Sequence, residues 1–248
     1  MHIELIGSTS AGKTTLARKL VQIGKERGMD VFLSDDFILE QIHFNWVRNE
    51  FMRRRFVELV SFATLLTCVR QYREFFRFVL DESKNCPGSW FYKINVIRNV
   101  IRKIGIFEFV SRRCRAQQII LADNEGILQG VHNLFVHQNE NSQVDLPKIN
   151  KYVELVPLPD VVLYLQQEED ILITRTLGRG HPRLVESSTA EVIHFIRQAV
   201  TVFDEMITAP KLQERLRIVD GGLNIHGEAE NLFNLNFHRT SELVRAQG

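Results

Sequence analysis

Short apolar runs separated by stretches of helical spacing make up most of the chain. The first run, His2–Ile6, is followed by a cluster of small residues. Then come Leu16, Leu20, Ile23 and Gly24, three or four apart, with Gly28 placed to end the helix. Residues 31–34 read as a second strand, ending in the paired carboxylates Asp35 and Asp36. A third strand lies within QQIILADNEG (117–126) and ends in Asp123 and Glu125. Pro157 and Pro159 announce a fourth over 160–165, and a fifth, Leu216–Asp220, stops at Gly221 and Gly222. A helix is expected over Thr189–Thr208, opened by Ser188 with Glu191 three residues on, the capping-box spacing. Short apolar strands alternating with helices predict a parallel sheet covered on both faces. Ligands of such sheets sit at the carboxyl ends of the strands, where each acidic cluster named above falls.

Between the second and third strands, residues 41–115 predict a long helical insertion. Phe44, Val47, Phe51, Phe56, Leu59, Val60, Ala63 and Leu66 follow helical spacing, and CPGSW (86–90) breaks the run. Ile94, Ile97, Ile101 and Ile104 form a second stripe, with Lys93, Arg98, Arg102 and Lys103 elsewhere on that helix. The polar stretch 137–145 reads as an exposed loop, too short to separate domains. One domain over 1–248 is expected.

Composition changes this picture little, and charge changes it more. The 248 residues are 44% hydrophobic and 25% charged, ordinary for a globular protein. No apolar run reaches the roughly 18 residues that span a bilayer, so no membrane is expected as a partner. The chain enters its first strand without a basic leader, and its three cysteines are widely spaced and odd in number; a cytoplasmic location is expected. The net charge of +1 hides a segregation. Residues 41–115 hold 15 Lys and Arg against six Asp and Glu. RRR (53–55) and RRCR (112–115) suit an anionic acceptor or partner, or else form a solvated face. The aromatics of this segment follow core spacing instead of alternating with arginines, which disfavours nucleic acid.

The candidate chemistry begins at the first strand. Gly7, Ser8, Thr9, Ser10, Ala11, Gly12, Lys13 and Thr14 match G-x-x-x-x-G-K-[ST], with Thr15 next, between a strand and a helix. Glycines let such a loop turn its N–H groups inward around phosphate oxygens, and the helix N-terminus adds its positive dipole end. Lys13 would neutralise the β and γ phosphates, and the Thr14 hydroxyl would ligate Mg²⁺. ATP and Mg²⁺ are the expected cofactors.

The order of these signals resembles the P-loop nucleoside and nucleotide kinase superfamily, thymidylate kinase-like and deoxynucleoside kinase-like proteins above all. The phosphate loop carries the resemblance, together with LPDVVLYLQQEEDILITRTLGRGHPR (158–183) and RLRIVDGG (215–222). ADNEG stands where the superfamily carries an Asp-Arg pair or a Glu-Arg-Ser run. The resemblance implies an α/β fold, a P-loop three-layer sandwich with a five-stranded parallel sheet and a long helical insertion between strands two and three. It implies a lid over 172–185 whose Arg175, Arg179 and Arg183 close on the transferred phosphate. Asp35 would serve as base or as holder of the acceptor hydroxyl, with Asp36 as the alternative and a helix cap as the plainer role. Asp123 or Glu125 would serve the metal. The activity implied is transfer of the γ-phosphate of Mg-ATP to a nucleoside, nucleotide or similarly sized metabolite. A regulatory NTPase is the competing reading, because 123–126 fits D-x-x-G, although NKYV (150–153) lacks the Asp of N-K-x-D. The sequence leaves a homodimer open. His132, His137, His181, His194, His226 and His238 show no metal-ligand spacing and are expected to be surface or core residues.

Overall fold

All five expected strands form: the unbroken runs of β-branched and leucine side chains in the middle of the sheet are buried on both sides, while the edge run Leu216–Asp220 is largely exposed. The computed structural model describes residues 1–123, 126–137, 144–181, 184, 187–221, 227 and 230. In chain order the elements are β1 (His2–Ile6), α1 (Lys13–Glu26), β2 (Val31–Leu33), α2 (Ser34–Gln41), α3 (Glu50–Cys68), α4 (Arg73–Asn85) and α5 (Trp90–Arg113). Then follow β3 (Ile119–Ala122), α6 (Gly130–Phe135), α7 (Leu146–Leu155), β4 (Val161–Gln166), α8 (Glu169–Arg179), α9 (Thr189–Thr208) and β5 (Leu216–Asp220). The sheet is wholly parallel, in the order β2-β3-β1-β4-β5. The central β1 and its neighbour β3 are buried at every residue, so both faces of the sheet are covered. The chain leaves β1 toward β2 on one side and later crosses from β3 to β4 on the other. The carboxyl end of β1 is therefore the switch point at which such sheets open a crevice.

The α9 cap forms as the spacing predicts: the Ser188 hydroxyl accepts from the Glu191 N–H, and the Glu191 carboxylate accepts from the Ser188 N–H. The stretch 138–143 of the expected polar loop lies outside the described residues.

The connection from β2 to β3 is helical, as expected, but its helices turn different faces inward. On α3 the buried residues are Val57, Ser61, Leu65 and Cys68. Phe51, Leu59 and Leu66, assigned above to the apolar stripe, are 61%, 65% and 78% exposed. The cause lies on α5. A Cβ at Gly105 would overlap the Ser61 backbone, so the two helices meet where both side chains are small and the larger ones are turned away. On α5, Val96, Val100 and Ile104 join the main core, while Ile94 is exposed. Lys103, which the spacing puts off the isoleucine stripe, is nevertheless only 4% exposed. A second apolar cluster of Phe37, Ile38, Leu39, Val57, Ile106, Phe109, Val110 and Ile120 ties α2, α3 and α5 to β3.

Candidate active site

The phosphate loop joins β1 to α1 across the switch point. Gly7 has φ 141°, and a Cβ there would stand 2.8 Å from the Leu165 carbonyl oxygen of β4, so the first turn admits glycine alone. Gly12 precedes α1 in the left-handed region, and the helix begins at Lys13. Lys13 is buried, with Nζ donating to the carbonyl oxygens of Gly7 at 2.8 Å and Ser8 at 2.9 Å. Burial lowers its pKa from 10.5 to about 8; Asp123 opposes that fall and the cation of Lys103 adds to it. Lys13 is thus a buried cation held by two carbonyl oxygens, with Asp123 as the opposite charge acting on it.

The Thr14 hydroxyl donates to Asp123 Oδ2 at 3.0 Å. The end of β3 is thereby brought to the first turn of α1, and two of the three residues expected to serve a metal stand together. Hydroxyl and carboxylate oxygens are the hard donors that Mg²⁺ takes beside phosphate oxygens and water, so this donor set fits the ion. Glu125 lies outside the described residues.

Beside this pair opens a cavity of about 440 Å³. The phosphate loop lines one side through Thr9, Ser10, Gly12, Lys13, Thr14 and Thr15. Gln129, His132 and Asn133 line another, and Arg179, Gly180 and His181 close it from the end of α8. Gln129 Nε2 donates to the Gly7 carbonyl at 3.3 Å. The two histidines flank the same ring, with centroids 5.3 and 5.4 Å from that of Phe195 on α9. α8 is docked on the loop: Thr176 Oγ1 donates to Ser10 Oγ at 3.0 Å, and Arg175 reaches the Ser10 carbonyl at 3.4 Å. Arg175 and Arg179 are both exposed, one turn apart. Arg183 lies outside the described residues.

No protein-family model and no curated protein sequence matches the chain. Solved structures do. A deoxyadenosine kinase from M. mycoides with dCMP and a flexible dCDP bound is 15% identical, with a TM-score of 0.51 over 94% of this chain and 97% of that one. The M. mycoides kinase with dATP bound gives 17% and 0.47 over 94% and 98%, and a shikimate kinase from Acinetobacter baumannii with shikimate gives 14% and 0.43 over 96% and 93%. The chain has the fold of a P-loop kinase.

Within that fold the remaining expected residues stand apart from the cavity. β2 ends at Leu33, one residue short of the expected 31–34, and α2 starts at once, so Asp35 and Asp36 occupy its first turn instead of a strand end. Neither caps the helix: the N-cap is Leu33. Asp36 pairs with Arg53, which also donates to the Val47 carbonyl. Arg54 faces Glu50 in an exposed pair, Arg55 bonds Glu58, Arg112 bonds Glu108 and Thr67, and Arg113 lies over the Phe109 ring. None of these arginines lines the cavity. Among the described residues, the lining beyond the loop comes from residues after β3 and from the end of α8, and none comes from the basic insertion. Gln129, His132, Asn133 and His181 were not among the expected site residues. Metal-ligand spacing was the wrong test for histidines that line a cavity; a polar Q-x-x-H-N run just after a strand end was the available signal.

Proposed function

We propose that the chain is an ATP-dependent small-molecule kinase that transfers the γ-phosphate of Mg-ATP to a hydroxylated or phosphorylated acceptor. The observation that carries the reading is Lys13, buried on two loop carbonyls at the floor of a polar cavity, with Thr14 and Asp123 bonded beside it. Binding exchanges the carbonyls of Gly7 and Ser8 for phosphate oxygens at Nζ, and the α1 N-terminus adds its dipole. Thr14 and Asp123 would hold Mg²⁺, which when bound neutralises phosphate charge. Arg175 and Arg179 close over the transferring group from α8, where the charge to be met develops during transfer. The acceptor oxygen attacks the terminal phosphorus, ADP departs, and the acceptor proton passes to a carboxylate.

Asp35 is the carboxylate proposed for that proton. It lies just beyond the end of β2, two strand spacings from β1 and so about 10 Å along the sheet edge. An acceptor of nucleoside size can bridge that span, with its reacting end against Gln129, His132 and Asn133. Arg53 is paired with Asp36, and Arg54, Arg55 and Arg112 with acids of the insertion, so the acceptor need not be anionic. The competing regulatory NTPase reading predicts instead ATP turnover that no small acceptor stimulates. The test is turnover across a panel of hydroxylated and phosphorylated small molecules. A stimulating acceptor and a loss of orders of magnitude in Lys13→Ala support the reading. Unchanged turnover in a folded Lys13→Ala protein overturns it.

A further inference from the structure

One buried carboxylate in this molecule takes no part in the chemistry above. Glu4, in the middle of β1, is 0% exposed, between Ala122 of β3 and Val162 of β4 in the sheet register. Its Oε1 accepts the Gln129 N–H at 2.8 Å, and the N–H groups of Leu128 and Ile127 also stabilise its charge. A Cβ at Gly126 would overlap the carboxylate, so the turn after β3 lies directly upon it. On the far side of the turn, Tyr152 Oη donates to the Ile127 carbonyl at 2.6 Å and stands where a Cβ on Gly130 would be. Lys103 of α5 supplies the opposite charge and packs near Gly130.

We propose that Glu4 is a positioning residue that clamps residues 126–130 beneath the cavity, and so holds Gln129 against the phosphate loop. Two features support a dedicated clamp over ordinary core packing. An acid in the central strand of a sheet is costly unless donors and a cation meet it; here the Gln129 N–H bonds Oε1, the Leu128 and Ile127 backbone and the Lys103 cation favour the charge, and Oε2 is buried without a hydrogen bond. Even with them, burial pushes the carboxyl up to about 7. The clamped turn also ends at the Gly7 carbonyl, through Gln129 Nε2, and that oxygen is one of the two that hold Lys13. A shift of the turn is therefore felt at the lysine. Lys103, whose cation acts on both Glu4 and Lys13, carries the placement of the helical insertion to the same point.

What the clamp positions rests on the kinase reading, so the test reads the two separately. Amide exchange on the full chain compares wild type with Glu4→Gln. The clamp predicts exchange at residues 127–130 at least about tenfold faster, with β4 and α9 unchanged. Mg-ATP titration of the same proteins is expected to show binding weakened about tenfold in the variant. Should Glu4→Gln fail to fold, Gly126→Ala pushes the turn off the same carboxylate and must give the same local pattern. Unchanged exchange at 127–130, or equal acceleration throughout the sheet, overturns the clamp. Failure of the wild type to bind Mg-ATP overturns the nucleotide site instead, and the exchange pattern still decides the clamp.

Discussion

Nucleotide binding should lose strength as pH rises above 8, and Lys13 sets the size of the effect. In the free protein burial holds its pKa at about 8, against 10.5 for an unperturbed lysine, which corresponds to about 3 kcal/mol of disfavoured charge. A phosphate beside Nζ restores a counter-charge and raises the pKa again. The sign follows by linkage. Below pH 8 the lysine is already protonated and binding needs no proton. Above it, binding must first recover one, so Kd rises about tenfold per pH unit until the bound-state pKa is reached. From pH 7 to pH 9 the expected weakening is about tenfold, or about 1.4 kcal/mol. Calorimetry of Mg-ATP binding in buffers of differing ionisation enthalpy measures both quantities. Proton uptake should be small at pH 7 and approach one per site at pH 9. Lys13→Met should bind more weakly with a flat pH profile. A flat profile in the wild type, or an unchanged slope in Lys13→Met, would refute the assignment of the perturbed cation to the phosphate site.

Two further outcomes are expected. Arg179→Ala should lower kcat by about tenfold or more while changing ATP affinity little, since this exposed residue at the cavity rim meets charge that develops in transfer; steady-state kinetics that show equal losses in both would make it an ordinary binding residue. His2 is buried with both ring nitrogens unbonded, and burial lowers its pKa from 6.5 to about 4, with Asp160 opposing. Its contribution to stability is therefore present above pH 6.5 and lost as pH falls through 4, about 3 kcal/mol in all, so denaturant unfolding at pH 7 and pH 4 should show a smaller acid loss in His2→Leu than in wild type.

The strands and the glycine-bearing turn between β1 and α1 were legible because their signals are local. An unbroken apolar run, a loop whose first glycine cannot accept a side chain, and a Ser188-Glu191 cap each fix a conformation within a few residues. The inward face of α3 was not legible, because the choice between Leu59 and Val57 is made by Gly105 of another helix. Lys103 shows the same limit: a lysine on a helix reads as solvent-facing until Glu4 of β1 is placed beneath it. Asp123 stands beside the loop because β3 is the neighbour of β1 in the sheet, and there its carboxylate accepts from Thr14. The cavity wall of Gln129, Asn133 and His181 was missed because α6 and the end of α8 meet only in the folded chain.

The fate of the terminal phosphate of ATP tests the central claim most directly. Mg-ATP labelled at the γ position is incubated with the full chain, alone and with each acceptor of a broad panel, and the labelled products are separated. The kinase reading predicts slow release of inorganic phosphate without acceptor, because the site closes over a complete set of reactants. It predicts label on one class of small molecule when that class is present. Fast release of inorganic phosphate by the chain alone, with label on no member of the panel, would contradict it and favour an ATPase.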